Sequence, residues 1–199
     1  IAFTVSVDVS GNVTFTDYLA IRHSDTSSND ETSSGLTSGA LMLVATATDG
    51  DGDPLLSSPL DVGSILRVND DGPTGNAVLK QGAVLEVDET AGLQPPDNAA
   101  SLPSGALGSS SIGWSELATD TFAFGSDGFG SKTFDLQVTS GGASGWLTSD
   151  GSKGIFLYKN AGVIEGRVGS SGPVSVADPS GEIAFTVSVD VSGNVTFTD

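Results

Sequence analysis

The densest chemistry in this 199-residue chain is Thr48-Asp49-Gly50-Asp51-Gly52-Asp53-Pro54, three carboxylates at alternate positions with glycine between them. Alternate Asp side chains can converge on one ion, because glycine lets the backbone curve tightly and leaves the intervening carbonyls free to coordinate. Such an oxygen-rich loop suits a hard cation. A helix-loop-helix calcium hand would need Gly at position 54 and Glu at position 60, where this chain has Pro54 and Leu60. The plain alternative is a solvated acidic turn, which these residue types also form without metal.

Two further acidic runs follow. Val68-Asn69-Asp70-Asp71-Gly72-Pro73-Thr74 closes one apolar stretch, and Glu86-Val87-Asp88-Glu89-Thr90 lies in the next. A strand that ends in Asn-Asp-Asp-x-Pro before a second acidic strand is the layout by which tandem extracellular sandwiches hold calcium between neighbours. We therefore expect Ca2+ to be bound by Asp49, Asp51, Asp53, Asn69, Asp70, Asp71, Asp88 and Glu89.

The whole composition points the same way. The formal charge is -18, with 25 acids against 7 bases, and the acids are mostly the shorter aspartate, 19 against 6 glutamates. Seven scattered bases make no phosphate-binding patch, so nucleic acid is not expected as a partner. With no cysteine the chain has neither disulfides nor thiolate metal sites, and no apolar run is long enough to span a membrane as a helix. A secreted chain without cysteine needs another staple, and calcium offsets two negative charges per ion.

Catalytic arrangements are poor by comparison. His23 is the only histidine; beside Asp25 it can be drawn as a dyad, but a lone histidine at a strand end reads first as structural. No Gly-x-Ser-x-Gly elbow is present, and the many acids sit in turns without an aromatic platform for sugar cleavage. No enzymatic activity is expected. Trp114 and Trp146, with several phenylalanines, suit the core of a sandwich; their alternative use is a carbohydrate-binding face.

The elements that would carry these loops are strands. Glycine numbers 27, and no apolar 3.6-residue period lasts beyond a turn or two, whereas alternation is common. Phe3, Val5, Val7 and Val9 alternate with Thr4, Ser6 and Asp8, Ser10-Gly11-Asn12 turns, and Val13 to Thr16 returns as a hairpin. Strands are also predicted at Ala40–Thr48 (a central strand, being apolar on both faces at its start), Ile65–Val68, Val84–Val87, Thr121–Phe124, Lys132–Thr139, Gly154–Tyr158 and Gly162–Val168. Asp25–Ser38 and Gln94–Ser111 read as loops. The fold class expected is all-β, an immunoglobulin-like or cadherin-like β-sandwich.

The first hairpin occurs twice. Residues Ile1–Asp17 are identical to Ile183–Asp199, a period of 182 residues. We expect a tandem-repeat module split by the chain ends. Acidic turn chemistry near Asn69–Ala83 marks the natural boundary, so residues 1–75 are read as the C-terminal part of one repeat and 76–199 as the N-terminal part of the next. The expected partners are neighbouring identical repeats of a parent chain and, by domain swapping or end-to-end association, other copies of this chain.

ATATDGDGDPLLSSPLDVGSILRVNDDGPT, followed by VLEVDET, resembles the tandem repeats of large RTX adhesins that bacteria export by type I secretion; YLAIRH and GALMLVATATDGDGD are similar to further landmarks of those repeats. Asn69, Asp70 and Pro73 also match the cadherin linker D-x-N-D-N-x-P, which this chain leaves at Arg67 and Asp71. The resemblance implies a secreted, extracellular, calcium-stabilised extender at the bacterial cell surface, holding a terminal binding region away from the cell. The alternative is a carbohydrate-binding β-sandwich module of the same kind of adhesin.

Overall fold

Strand-forming alternation meets glycine turns throughout, and the result is an antiparallel all-β fold of the β-sandwich class. The computed structural model describes residues 1–170 and 175–199. Two compact units divide the chain: residues 1–76 with 121–130, and residues 77–120 with 131–199. No helix among the described residues is long and apolar enough to cross a membrane.

The first unit is made of two-stranded ribbons: β1 (Phe3–Val7) pairs with β2 (Val13–Asp17), β3 (Met42–Leu43) with β6 (Leu60–Asp61), and β4 (Thr46–Thr48) with β5 (Pro54–Leu56). Phe3 and Phe15 meet edge to face across the first ribbon at 5.7 Å. The Ala40–Thr48 run, expected as a central strand, is broken instead between two different partners, and Met42 and Val44 are exposed. Ile65–Val68 is not a strand either. Asp61 Oδ1 accepts the Ser64 amide at 3.2 Å to start a short 3-10 turn over Gly63–Ile65. The Arg67 guanidinium then folds back onto the Ser64 and Leu66 carbonyls, 2.7 Å from each. Thr121–Phe124 forms a single antiparallel bridge, Thr74 to Ala123, rather than a strand.

The second unit is built on a six-stranded antiparallel sheet. Its strands are β8 (Ser109–Ile112), β10 (Gly142–Leu147), β11 (Gly154–Asn160), β12 (Val163–Val168), β13 (Ile183–Val189) and β14 (Val195–Thr198), in the order β10-β11-β12-β13-β14-β8. A short ribbon joins β7 (Ala77–Leu79) to β9 (Ala118–Asp120), and α1 (Trp114–Leu117) is one helical turn. Ile112, Ala118, Ile155, Ile164 and Phe185 are buried, and they are all the buried hydrophobic residues among those described. Burial at about 25 cal/mol per Å² makes this sheet face the main source of stability.

A second layer lies on that sheet without hydrogen-bonded strands of its own. In Lys132–Thr139 the predicted alternation holds: Phe134, Leu136 and Val138 are half-buried, and the residues between them are exposed. Phe134 packs on Trp114 at 4.9 Å, and Leu136 and Val138 line an apolar cleft with Ile164, Phe185 and Val187. Val84–Val87 behaves alike, sending Leu85 and Val87 toward Trp146, Phe185 and Phe197. Both segments were expected as strands; among the described strands neither is one.

Candidate metal centre

The Asp49-Asp53 loop joins β4 to β5, whose last pair is Thr48 opposite Pro54. Asp49 closes the turn itself. Its Oδ1 accepts the Gly52 amide at 3.1 Å and the Asp53 amide at 2.9 Å, and Gly52 takes a φ of +105°, which favours glycine. This curvature gathers one carboxylate oxygen each from Asp49, Asp51 and Asp53 within 4.8 Å of one another, all exposed. Among the described residues it is the only such group of three or more acidic, His or Cys ligands. A hydrogen bond shared with the Asp51 side chain, and then the Asp53 amide, hold the Asp49 carboxyl below the usual carboxylate range. Oxygen donors of this kind fit Ca2+, with carbonyls and water completing six to eight ligands.

Asn69, Asp70 and Asp71 lie apart from that loop group and are engaged differently. Asn69 Oδ1 accepts the Thr32 hydroxyl at 2.8 Å, and Asp71 Oδ2 accepts the Ser126 amide at 3.2 Å. Asp70 Oδ1 stands 3.3 Å from His23 Nδ1, an ion pair when the ring is protonated, while His23 Nε2 donates to the Val68 carbonyl at 3.1 Å. The partner of His23 is thus Asp70, not Asp25, which accepts the Ser27 hydroxyl at 2.6 Å. Asp70 and His23 face two adjoining clefts of about 570 and 560 Å³. Asp17 and Asp71 line the first, Asp25 and Glu31 the second, and Asp127 lines both. Glu31 Oε2 is buried there without a hydrogen-bond partner. No spacing rule predicted Glu31, Asp25 or Asp127 as neighbours of Asp70; folding brings them from distant parts of the sequence.

Asp88 and Glu89 belong to the second unit. Thr90 hydrogen-bonds the Asp88 carboxylate through its side chain and its amide, the latter at 2.7 Å, which lowers the Asp88 pKa. Glu89 lines a cleft of about 680 Å³ with Glu86, Asp199 and the Trp146 ring. Burial first, and then the charge of Glu89, push the Asp199 carboxyl up.

A family model described as a domain of unknown function, DUF5801, matches residues 1–63 and 67–199. The chain belongs to this family. The DUF5801 match takes in all eight predicted ligand positions and both units, and its two stretches part at residues 64–66, inside the turn that follows β6. No curated protein and no solved structure matches the chain. The family description names no ligand and no reaction, so chemical assignments rest on the residues themselves.

Proposed function

We propose that this chain is a calcium-stabilised extender module of a secreted bacterial surface adhesin, with a mechanical rather than an enzymatic role. The observation that supports it best is the convergence of Asp49, Asp51 and Asp53 on an exposed turn of the unit that has no buried hydrophobic residue. A chain of charge -18 gains from divalent counter-ions wherever they bind only the folded form. Calcium on this loop would tie β4 to β5, and ions at Asn69, Asp70, Asp71, Asp88 and Glu89 would stiffen the chain between strands. The adhesin assignment rests on the sequence resemblance.

The test is thermal unfolding with calcium and with chelator. At a free calcium concentration of 100 times Kd, one site adds about 2.7 kcal/mol, several degrees in Tm for a unit of this size. Asp49→Asn with Asp51→Asn is expected to remove most of the difference in Tm between the two buffers. An identical Tm in both buffers would end the calcium assignment.

A second reading has its own observation. Lys132 Nζ sits 4.6 Å from the Trp114 ring centroid and Phe134 packs beside it, but Trp146 is 55% exposed at the mouth of the cleft that carries Glu86, Glu89 and Asp199. An exposed aromatic ring among carboxylates suits a sugar. Glycan-array binding that Trp146→Ala abolishes would favour this carbohydrate-binding module over a pure spacer.

A further inference from the structure

One sequence appears in this molecule in two settings. The hairpin β13–β14 fills a slot in the six-stranded sheet, with β12 along one edge and β8 along the other. Ile164 pairs with Val187 and Glu165 with Thr186 on the first edge; Ile112 pairs with Val195 and Ser110 with Phe197 on the second. The hairpin β1–β2 has the same residues and the same internal register, Val5 opposite Phe15 and Val7 opposite Val13, yet it forms a sheet of two strands only. Val7, Val9 and Val13 are exposed by 53%, 108% and 39%. Edge strands with free amides and carbonyls are templates for further pairing.

We propose that β1–β2 is an interaction surface whose partner is the β12/β8 slot of a second copy of this chain, entered in the register that β13–β14 uses. In that register Ile164 would face Val5, Glu165 would face Thr4, Ile112 would face Val13 and Ser110 would face Phe15. The fit is specific at one point above all. The Phe185 ring lies over Gly166, where a Cβ would collide with it, and Phe3 carries the same ring at the equivalent position. The occupant is a copy of this chain because the slot's shape is matched, residue for residue, by a sequence that the chain carries twice. Within one molecule the slot is already filled by a hairpin tethered to β12 through residues 169–182, whose effective concentration is high. Docking between copies therefore requires the resident hairpin to leave.

This docking extends the repeat reading proposed above, on which its place in an array rests; it needs no calcium, so its failure and that of the metal assignment are separable. The test uses the full chain with Phe185→Ala and Phe197→Ala, which weaken the resident hairpin and leave β1–β2 intact. Light scattering across a dilution series is expected to show a concentration-dependent mean mass at least about twice that of the monomer. Adding Phe3→Ala and Phe15→Ala is expected to abolish that association. A variant that stays monomeric, or one whose association survives loss of Phe3 and Phe15, overturns the proposal. A second measurement covers a variant that does not fold. The chain has no cysteine, so Thr14→Cys with Ser111→Cys in the otherwise unchanged protein can trap exchanged molecules as covalent dimers under mild oxidation. The off-register pair Thr4→Cys with Ser111→Cys should trap none. Equal yields from both pairs, or no dimer from either, would also overturn it.

Discussion

Ile1–Asp17 and Ile183–Asp199 are chemically the same peptide, and the molecule treats them differently. Phe185 is only 6% exposed, between Trp146 at 5.1 Å and Phe197 at 5.5 Å. Phe3, its twin, has Phe15 as its ring contact. Gly11 and Gly193 adopt φ of +84° and +83°, yet a Cβ at Gly11 would meet nothing within 4 Å and one at Gly193 would meet the Phe134 ring at 2.7 Å. The local shape of the hairpin is written in its own residues; its burial is supplied entirely by partners. The same contrast runs through the two units, since every buried hydrophobic residue described lies in the second. The first must draw stability from elsewhere, which is where an ion or another copy would act.

Three pairs of matched positions sharpen the contrast. The largest effect is expected at the rings. In dilute solution Phe185→Ala should cost about 3–5 kcal/mol in urea unfolding followed by tryptophan fluorescence, because both tryptophans report on the second unit. Phe3→Ala should cost less than about 1 kcal/mol by the same signal. Equal losses would mean that the two hairpins share one environment. Raising the concentration should shrink the Phe185→Ala loss if β1–β2 of another molecule can take the vacant seat.

The turns come next. Alanine at Gly193 and at Gly11 carries the same left-handed strain, about 1–2 kcal/mol each where the turn is formed. Only Gly193→Ala must also displace Phe134, so its unfolding midpoint should fall further, by the equivalent of about 1 kcal/mol more. A matching pair of midpoints would show that Phe134 yields freely.

The smallest effect concerns acid. Asp8 and Asp190 are each held below the ordinary carboxylate range, first by the Asn12 or Asn194 side chain and then by that residue's amide. A depressed folded pKa gives stability that is present above the unfolded value of about 3.9 and is lost as pH falls through the folded value. Asp150, lowered to about 2 by Thr148 and Ser152, has its own window, from the unfolded value down to about 2. NMR titration should find Asp8 and Asp190 shifted alike, with only Asp190→Asn lowering the stability of the sheet at neutral pH and so flattening its loss in acid. Different shifts would show that partners reshape the turn as well as bury it.

How far the sequence carried this picture depends on what each residue could reveal alone. Alternation predicted the hairpins, β11 and β12, and it assigned Phe134, Leu136 and Val138 to one side of an extended segment. It could not say that this segment is no strand, because strand pairing is a property of the partner. β8 was hidden in a loop-like stretch. Ser109-Ser110-Ser111 has no β-branched or aromatic residue, and its strand exists because β14 pairs with it and Thr198 Oγ1 meets Ser109 Oγ at 2.9 Å. The Asp49-Asp53 cluster was legible since its ligands are neighbours in sequence. The surroundings of Asp70 were not, since His23 and Glu31 arrive from 47 and 39 residues upstream.

The turn of the duplicated hairpin has one more consequence. Asp8 Oδ1 accepts the Ser10 and Asn12 amides at 2.8 and 2.9 Å, and Asp190 repeats both contacts at the same distances. All of these bonds close within five residues, so the hairpin can form in microseconds. The pairing of β14 with β8 spans more than eighty residues and is slow by comparison. A finished hairpin therefore waits for its slot, and the slow step in assembling this sheet is a search by a preformed part.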